Sequence, residues 1–464
     1  MDRSQTESLC PACLSRIPAC RVTQGDAVFL EKTCPSHGSF RTLIWKGPPD
    51  FHQWHLAKIP VRPPVVYHTI ERGCPFDCGL CPDHRQRSCT IILEVTQRCD
   101  AGCAVCYADS RMGGVDPSRE IITDWYRRAK EAGGNCNIQL SGGEPTLRDD
   151  LPDIVADGKE KGLGFIQLNT NGLRLASDQA YLKDLKQAGL ASIFLQFDGS
   201  DETIYQRLRG RPLLKQKQEV IAACGEEGIG IVLVPTLVPG INEDNIGAIL
   251  KMALRYSPIV RGVHFQPMSY FGRFPGHLTD HRRLTLPELM GAIESQSQGL
   301  FQTGHFRPPG CENALCSFHG HYLVNEDGTV RSLQKPFESE CERPLIRADE
   351  GAAQAVSYLA RQWSATTSEN LESRQSGCCA SLKEGEKEIS CCSTTNLMNL
   401  DDFIGRARRH LFSLSAMAFQ DIWNISLDRI RDCCIHVMSP QGSLIPFCLY
   451  NLTGLDGRPL YRVR

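Results

Sequence analysis

The stretch Ile91-Ile-Leu-Glu-Val-Thr-Gln-Arg-Cys99-Asp-Ala-Gly-Cys103-Ala-Val-Cys106-Tyr107 decides how this chain is read. An apolar run from Ile91 to Val95 is followed at once by three thiols at CxxxCxxC spacing. Closely spaced cysteine thiolates hold iron–sulfur clusters. Three of them occupy three irons of a cubane and leave the fourth open to a ligand, so such a cluster can bind a small molecule and is more than a staple. A structural zinc knot is the competing reading, but zinc favours paired two-residue spacings closed by a fourth ligand. One βα unit further on, Gly142-Gly143-Glu144-Pro145 follows the short apolar stretch Ile138 to Leu140. Alone it reads as an ordinary turn. Behind a second strand, its glycines, which carry no Cβ, allow a ligand to approach the backbone closely.

Working outward, short apolar strands starting near Ile91, Ile138, Phe165, Ser192, Ile229 and Val263 alternate with amphipathic segments. Asp116-Pro117 reads as an N-cap and first-turn proline, and Gly133-Gly134 as the end of that helix. Further helices are expected over Asp149 to Lys161, Ser177 to Ala188, Leu213 to Glu227, Asp244 to Tyr256 and Pro287 to Gln296. Strands alternating with helices require a parallel sheet with right-handed crossovers. The expected fold class is α/β, a partial (β/α)6 barrel. Chemistry then belongs at the carboxyl ends of the strands. That rule selects Asn171 after strand three, Gln196 and Asp198 after strand four, Pro235 to Asn242 after strand five and Gln266-Pro267 at strand six; each also has a plainer reading as a strand-end or helix cap.

The chain has 464 residues, enough for several domains, and Lys plus Arg against Asp plus Glu is 51 against 53. A formal net charge of −2 gives no global field for nucleic acid or an anionic membrane. With no signal sequence and no long apolar run, a soluble cytoplasmic chain is expected. Twenty-three cysteines without a secretory signal point to metal rather than disulfides. Cys136 and Cys224 are read as buried packing.

Outside the barrel, Cys10 and Cys13 form CxxC, and Cys34 with His37 adds a second pair; together they suit one tetrahedral zinc or mononuclear iron. Cys74, Cys78 and Cys81 repeat the CxxxCxxC spacing, and Cys89 supplies a fourth thiolate, an auxiliary cubane. Spacing alone leaves open the reverse assignment, in which Cys74 to Cys81 binds the cofactor; the strand before Cys99 and the Gly-Gly-Glu-Pro after it favour the later triad. Past the barrel, Pro440-Gln-Gly442 reads as a hairpin that brings Cys433 or Cys434 beside Cys448. With Cys311 and Cys316 this makes a third cluster, for which Cys341 is a substitute ligand. Residues 364–396 turn polar and read as a flexible insertion with vicinal pairs Cys378-Cys379 and Cys391-Cys392, exposed thiols or captors of soft metals. The expected domains are 1–60, a metal-binding module of zinc-ribbon or rubredoxin type; 61–90, an auxiliary-cluster segment; 91–305, the barrel; and 306–464, a second auxiliary-cluster region.

The Cys99, Cys103, Cys106 triad with Gly142 to Pro145 resembles the signature of the radical S-adenosylmethionine (SAM) superfamily. The resemblance implies a [4Fe-4S] cluster on that triad, with SAM on its open iron, contacted by Gly142, Gly143, Glu144, Pro145, Asn171, Gln196 and Asp198. Glu31-Lys-Thr-Cys34-Pro-Ser-His37-Gly, Gly73-Cys-Pro-Phe-Asp-Cys-Gly-Leu-Cys-Pro-Asp-His84 and Ile445-Pro-Phe-Cys-Leu-Tyr-Asn451 look like the tetraether lipid synthase family, some members of which carry the label dihydro-hydroxymethylpterin methyltransferase. That resemblance implies two auxiliary cubanes, an N-terminal mononuclear metal, and carbon–carbon bond formation on lipid chains through a 5′-deoxyadenosyl radical. The alternatives are a radical SAM methylase of a pterin or other small heterocycle and, in another class, an iron–sulfur electron-transfer scaffold. Expected partners are a lipid or small-molecule substrate and an electron donor such as a ferredoxin or flavodoxin. Nucleic acid is not expected; peripheral membrane contact would suit a lipid substrate. A lipid enzyme needs a long apolar channel, a pterin enzyme a compact polar pocket with aromatic walls.

Overall fold

The computed structural model describes residues 3–54, 56–67, 69–274, 282–325, 327–335, 345–364 and 410–462. Apart from Ser364, the expected insertion 364–396 lies outside them, as do Cys341, Cys378, Cys379, Cys391 and Cys392.

The chain opens with an antiparallel sheet, β1 (Arg3–Leu9), β2 (Arg16–Gln24), β3 (Ala27–Cys34) and β4 (Gly38–Lys46), paired in that order. It docks on the C-terminal region: Ser8 Oγ donates to the Ile425 carbonyl at 2.6 Å and the buried Lys32 ammonium to that of Ile422 at 2.8 Å. Strand β5 (Lys58–Ile59) follows.

Next come β6 (Thr90–Thr96), α1 (Arg119–Gly133), β7 (Asn137–Gly142), α2 (Leu151–Glu160), β8 (Ile166–Thr170), α3 (Leu173–Ser177), α4 (Gln179–Gln187), β9 (Ser192–Gln196), α5 (Glu202–Arg209), α6 (Leu214–Glu226), β10 (Gly230–Val234), β11 (Thr236–Leu237), α7 (Ile246–Arg255), β12 (Val260–Pro267) and α8 (Leu286–Gln296). Strands β6, β7, β8, β9, β10 and β12 pair in parallel in that order, as the alternation with helices requires. Beyond them lie β13 (Ser317–Val324), β14 (Val330–Ser332), β15 (Ile346–Arg347), α9 (Ala348–Trp363), β16 (Leu411–Met417), β17 (Ile435–Met438) and β18 (Leu444–Pro446). β16 joins β12 in parallel and β17 joins β6 in parallel, so C-terminal strands extend both edges. Among the described residues the two ends of this sheet do not pair, and no barrel closure is formed.

Two local readings are corrected. Helix α1 is capped by Ser118, whose Oγ accepts from the Ile121 amide, while Asp116 accepts from Thr96 Oγ1 (2.6 Å) and from Arg98. Asp116 is thereby tied to the cysteine loop instead of the helix. Gly134, at φ +64°, ends α1 as expected. Helices α3, α5 and α9 had no place in the expected pattern. Cys136 and Cys224 pack in the core. Among the described residues no helix is long and apolar enough to cross a membrane.

Candidate active site

The outer side chains of the parallel strands make the core. The inner ones alternate with them, as strand geometry demands: Asn137, Gln139 and Ser141 on β7, Gln167 and Asn169 on β8, Phe194 and Gln196 on β9, His264 and Gln266 on β12 all line one cavity of ≈760 Å³. A barrel interior is ordinarily filled by branched apolar residues. Here amides hold it open. Gln139 Nε2 donates to Gln167 Oε1 (2.9 Å), Gln167 Nε2 to Ser192 Oγ (3.3 Å) and Asn169 Nδ2 to Gln139 Oε1 (3.3 Å). Beside them, on the next strand and in register with Asn169, Phe194 stacks on His264, centroids 5.6 Å apart, and meets Trp363 of α9 at 4.9 Å. His319 and His321 of β13 and Tyr358 of α9 complete this wall. Burial lowers the pKa of His264 and His319 to about 4, so both rings are neutral at pH 7.

At the carboxyl end of the strands Cys99, Cys103 and Cys106 line the cavity together with Gly142, Gly143, Glu144, Asn171 and Gln196. Burial, with Glu144 and the other two thiols nearby, pushes the Cys99 thiol up to about 12. Crowded, desolvated thiols of this kind fit a cationic metal cluster, which favours the thiolate form. The loop is held by two arginines that the sequence reading did not single out. Arg273 donates Nε to the Cys103 carbonyl at 2.7 Å and pairs backbone-to-backbone with Cys106. Arg209 donates to the Val105 carbonyl at 3.0 Å and forms a buried two-bond ion pair with Asp198. Asp198, expected beside SAM, supports the loop through this pair and is not among the residues that line the cavity. Pro145 also stays off the lining and starts a 3₁₀ turn, Pro145–Leu147, capped by Glu144.

The glycines act differently from expectation as well. A Cβ on Gly142 would come within 2.0 Å of the Thr96 carbonyl oxygen, and one on Gly143 within 2.0 Å of that of Arg98. The Gly143 and Glu144 amides donate to those same carbonyls at 2.8 and 2.7 Å. These residues are glycine because the β7 turn lies directly on the start of the cysteine loop. The Glu144 carboxylate accepts from Thr146, Thr170 and the Asn171 amide. Asn171 Nδ2 reaches Asp100 in the cysteine loop at 3.0 Å. Gln196 accepts from the buried Lys217 ammonium, which also donates to the Asn171 carbonyl.

The N-terminal ligand set assembles as expected. Ligand atoms of Cys10, Cys13, Cys34 and His37 all lie within 4.8 Å of one another, with Cys13 Sγ 3.9 Å from Cys34 Sγ. Sulfurs bound tetrahedrally at about 2.3 Å stand roughly 3.8 Å apart, so the geometry fits zinc.

The auxiliary cysteines group differently from their order in sequence. Cys89 is parted from Cys74, Cys78 and Cys81 and joins Cys311 and Cys434, with its Sγ 2.9 Å from that of Cys434. Register is the cause: β17 pairs with β6 so that Ile435 faces Thr90, which sets Cys434 beside Cys89. The hairpin forms as expected, but Cys433, one residue away, turns from Cys434 toward Cys448 and Cys316, whose charges add to burial in raising its pKa. Cys74 and Cys78 stay together, and Cys81 lies close enough to act on Cys78 and to be raised by Cys74. The expected set Cys311, Cys316, Cys433, Cys448 thus loses Cys311. Glu312, also unforeseen, sets its carboxylate 2.6 Å from Cys311 Sγ.

In comparison with known proteins, the Radical SAM superfamily model matches residues 93–253 and the HMPTM N-terminal zinc ribbon domain matches residues 3–46. The chain is 31% identical over 483 residues to the 7,8-dihydro-6-hydroxymethylpterin dimethyltransferase of Methanocaldococcus jannaschii, covering 96% of this chain and 93% of that protein. The GTP 3′,8-cyclase of Pectobacterium atrosepticum is 31% identical over 263 residues, 55% of this chain and 76% of that one. Among solved structures, Streptococcus suis SuiB bound to S-adenosylmethionine matches 46% of this chain and 48% of its own, with 13% identity and a TM-score of 0.37. The expected place among tetraether lipid synthases is overturned by the first relative, which spans almost the whole chain and carries a pterin activity.

Proposed function

Because the chain belongs to the family of the Methanocaldococcus jannaschii 7,8-dihydro-6-hydroxymethylpterin dimethyltransferase and is a radical SAM enzyme, we propose that it methylates a pterin or closely related nitrogen heterocycle. The observation that carries this reading is the cavity wall: amides on β7 and β8 and aromatic rings on β9, β12 and α9 together line a space of ≈760 Å³. That volume suits a bicyclic ring with the reacting part of a cofactor. A long alkyl chain would require an aliphatic channel instead. The wall also supports describing the six parallel strands as a partial (β/α)6 barrel, since five of them contribute inward side chains to one lumen and β10 adds Val234.

A [4Fe-4S] cluster would be held by Cys99, Cys103 and Cys106 and, with SAM beside it, would supply a 5′-deoxyadenosyl radical that takes one hydrogen from the substrate; the methyl group would come from a second SAM, which leaves as S-adenosylhomocysteine, with one electron from the donor for each SAM consumed. The chain's own residues keep the reacting parts in place. Arg273 and Arg209 fix the cysteine loop through its carbonyls, the Gly142-Gly143 turn seats it, and Asn171 ties Asp100 to the end of β8. The cavity excludes water and fixes the substrate's approach, which is where a protein contributes most to radical chemistry. Auxiliary iron–sulfur clusters at the Cys89 group and the Cys74 group, zinc at Cys10, Cys13, Cys34 and His37, and a small iron–sulfur or flavin protein as electron donor belong to the same proposal.

Reconstituted, reduced protein incubated with SAM and 7,8-dihydro-6-hydroxymethylpterin is expected to release 5′-deoxyadenosine and a pterin heavier by one or two methyl groups, read by mass spectrometry. An unchanged pterin, with 5′-deoxyadenosine formed only in the presence of a lipid, would reverse the assignment.

A further inference from the structure

The amides of the cavity wall have a direction. Ser192 Oγ donates to the Gly230 carbonyl at 3.2 Å, which leaves its oxygen to accept from Gln167 Nε2. Gln167 must therefore turn its Oε1 toward Gln139, and it accepts from Nε2 there. Gln139 in turn shows Oε1 to Asn169 and accepts from its Nδ2. Each amide donates toward Ser192, so the ladder ends at Asn169 with a carbonyl oxygen that has no donor. A second buried oxygen without a donor, Asn137 Oδ1, lies on the neighbouring strand of the same wall. Asn137 as a residue is 3% exposed. A buried acceptor without a partner costs about as much as a lost hydrogen bond, so a native wall that keeps two of them is built to receive donors.

We infer that Asn169, at the head of this ladder, and Asn137 below it form the substrate-recognition subsite, and that they select a planar heterocycle by its N–H groups. The inference rests on the heterocycle reading above and deepens it: these acceptors choose an N–H-bearing ring over an equally large ring that has none. The neighbouring Phe194 and His264 rings are indifferent to that choice, since any planar ring can stack on them. Discrimination therefore lies with the amides, and an acceptor left unpaired against the wrong ligand provides it.

The test is equilibrium binding to the cluster-loaded protein, with 6-hydroxymethylpterin, guanosine and 2-naphthalenemethanol as probes; the last matches the pterin in shape and has no ring N–H. The wild-type chain is expected to bind at least one of the two N–H rings about 10- to 100-fold more tightly than the naphthalene. Asn169→Leu is expected to abolish that preference. Asn169→Asp keeps an acceptor at the same place and is expected to retain it, which a purely structural role for the side chain would not allow. Visible absorption of the cluster, recorded for each variant, shows that the protein compared is folded and cluster-loaded. If the pterin is methylated but Asn169→Leu and Asn137→Leu keep the wild-type preference, the subsite is wrong and the proposed function stands. If guanosine shows an Asn169-dependent preference and no pterin is bound, the subsite stands and the pterin assignment falls. Equal binding of all three probes overturns the subsite.

Discussion

Cys89 and Cys99 flank a single strand, one just before β6 and the other just after it, and both line the same cavity. Seven residues of strand span roughly 20 Å. The cavity thus runs between two separate thiol groups, the Cys99 triad at the carboxyl end of the sheet and the Cys89, Cys311, Cys434 group at the amino end, where α9 packs over it through Ala352 and Ala355.

This regrouping predicts which cysteines share a metal. Cys89→Ser and Cys434→Ser should each lower bound iron by the same amount, and the double variant by no more than either. Adding Cys74→Ser to Cys89→Ser should remove a further share. Iron analysis and Mössbauer spectra of the reconstituted variants check it; additive losses for Cys89 and Cys434 would return Cys89 to the Cys74 group.

The Asp198–Arg209 pair is buried, with side chains 0% and 5% exposed. Removing one partner strands the other charge in the interior, which costs about 3–5 kcal/mol. Asp198→Asn should therefore lower the denaturation midpoint and loosen the cysteine loop through the Val105 carbonyl, seen as faster loss of cluster absorbance to a chelator. Asp198→Leu combined with Arg209→Met should recover most of the stability, yet not the cluster's resistance, because the bond to Val105 is still missing.

Much of this was legible in the sequence. The six core strands start within three residues of where their apolar runs begin, and CxxxCxxC falls after the strand that positions it. The same apolar runs concealed the cavity. Asn137-Ile-Gln-Leu-Ser and Ile166-Gln-Leu-Asn alternate strictly, and a parallel strand buried on both faces should read as a continuous apolar run; the interruptions at Gln139, Gln167 and Asn169 were the signal of a polar lumen. The cysteine grouping was not legible, because it depends on pairing between β6 and β17, more than 300 residues apart in the chain. Nor was the role of Asp198, since nothing in its own segment names Arg209 as its partner.

Gly143→Ala should disable the radical step while leaving the ribbon intact. The new methyl would sit 2.0 Å from the Arg98 carbonyl oxygen, a backbone atom that can only move by shifting the cysteine loop. Overpacking of this kind costs about 1–3 kcal/mol. The expected outcome is a drop in 5′-deoxyadenosine release of at least tenfold with zinc content unchanged; wild-type release would show that the turn does not seat the loop.

Lys217 gives a pH dependence with a definite sign. Its ammonium is buried behind Gln196 and Asn171, and burial lowers its pKa to about 8 from the ordinary 10.5, against the opposing pull of Asp198 and Glu144. Below pH 8 both folded and unfolded chains carry the proton, and the contribution to stability is constant. Between about 8 and 10.5 the unfolded chain holds a proton that the folded chain has released, so stability rises with pH, with a slope of up to about 1.4 kcal/mol per pH unit from this group. Lys217→Met lacks the titration. Urea unfolding of both proteins between pH 7.5 and 10 should therefore show the wild type gaining on the variant as pH rises, with groups common to both cancelling in the difference. A difference that stays flat across that range would mean the amine remains charged in the folded chain, held there by the Asn171 carbonyl and Gln196.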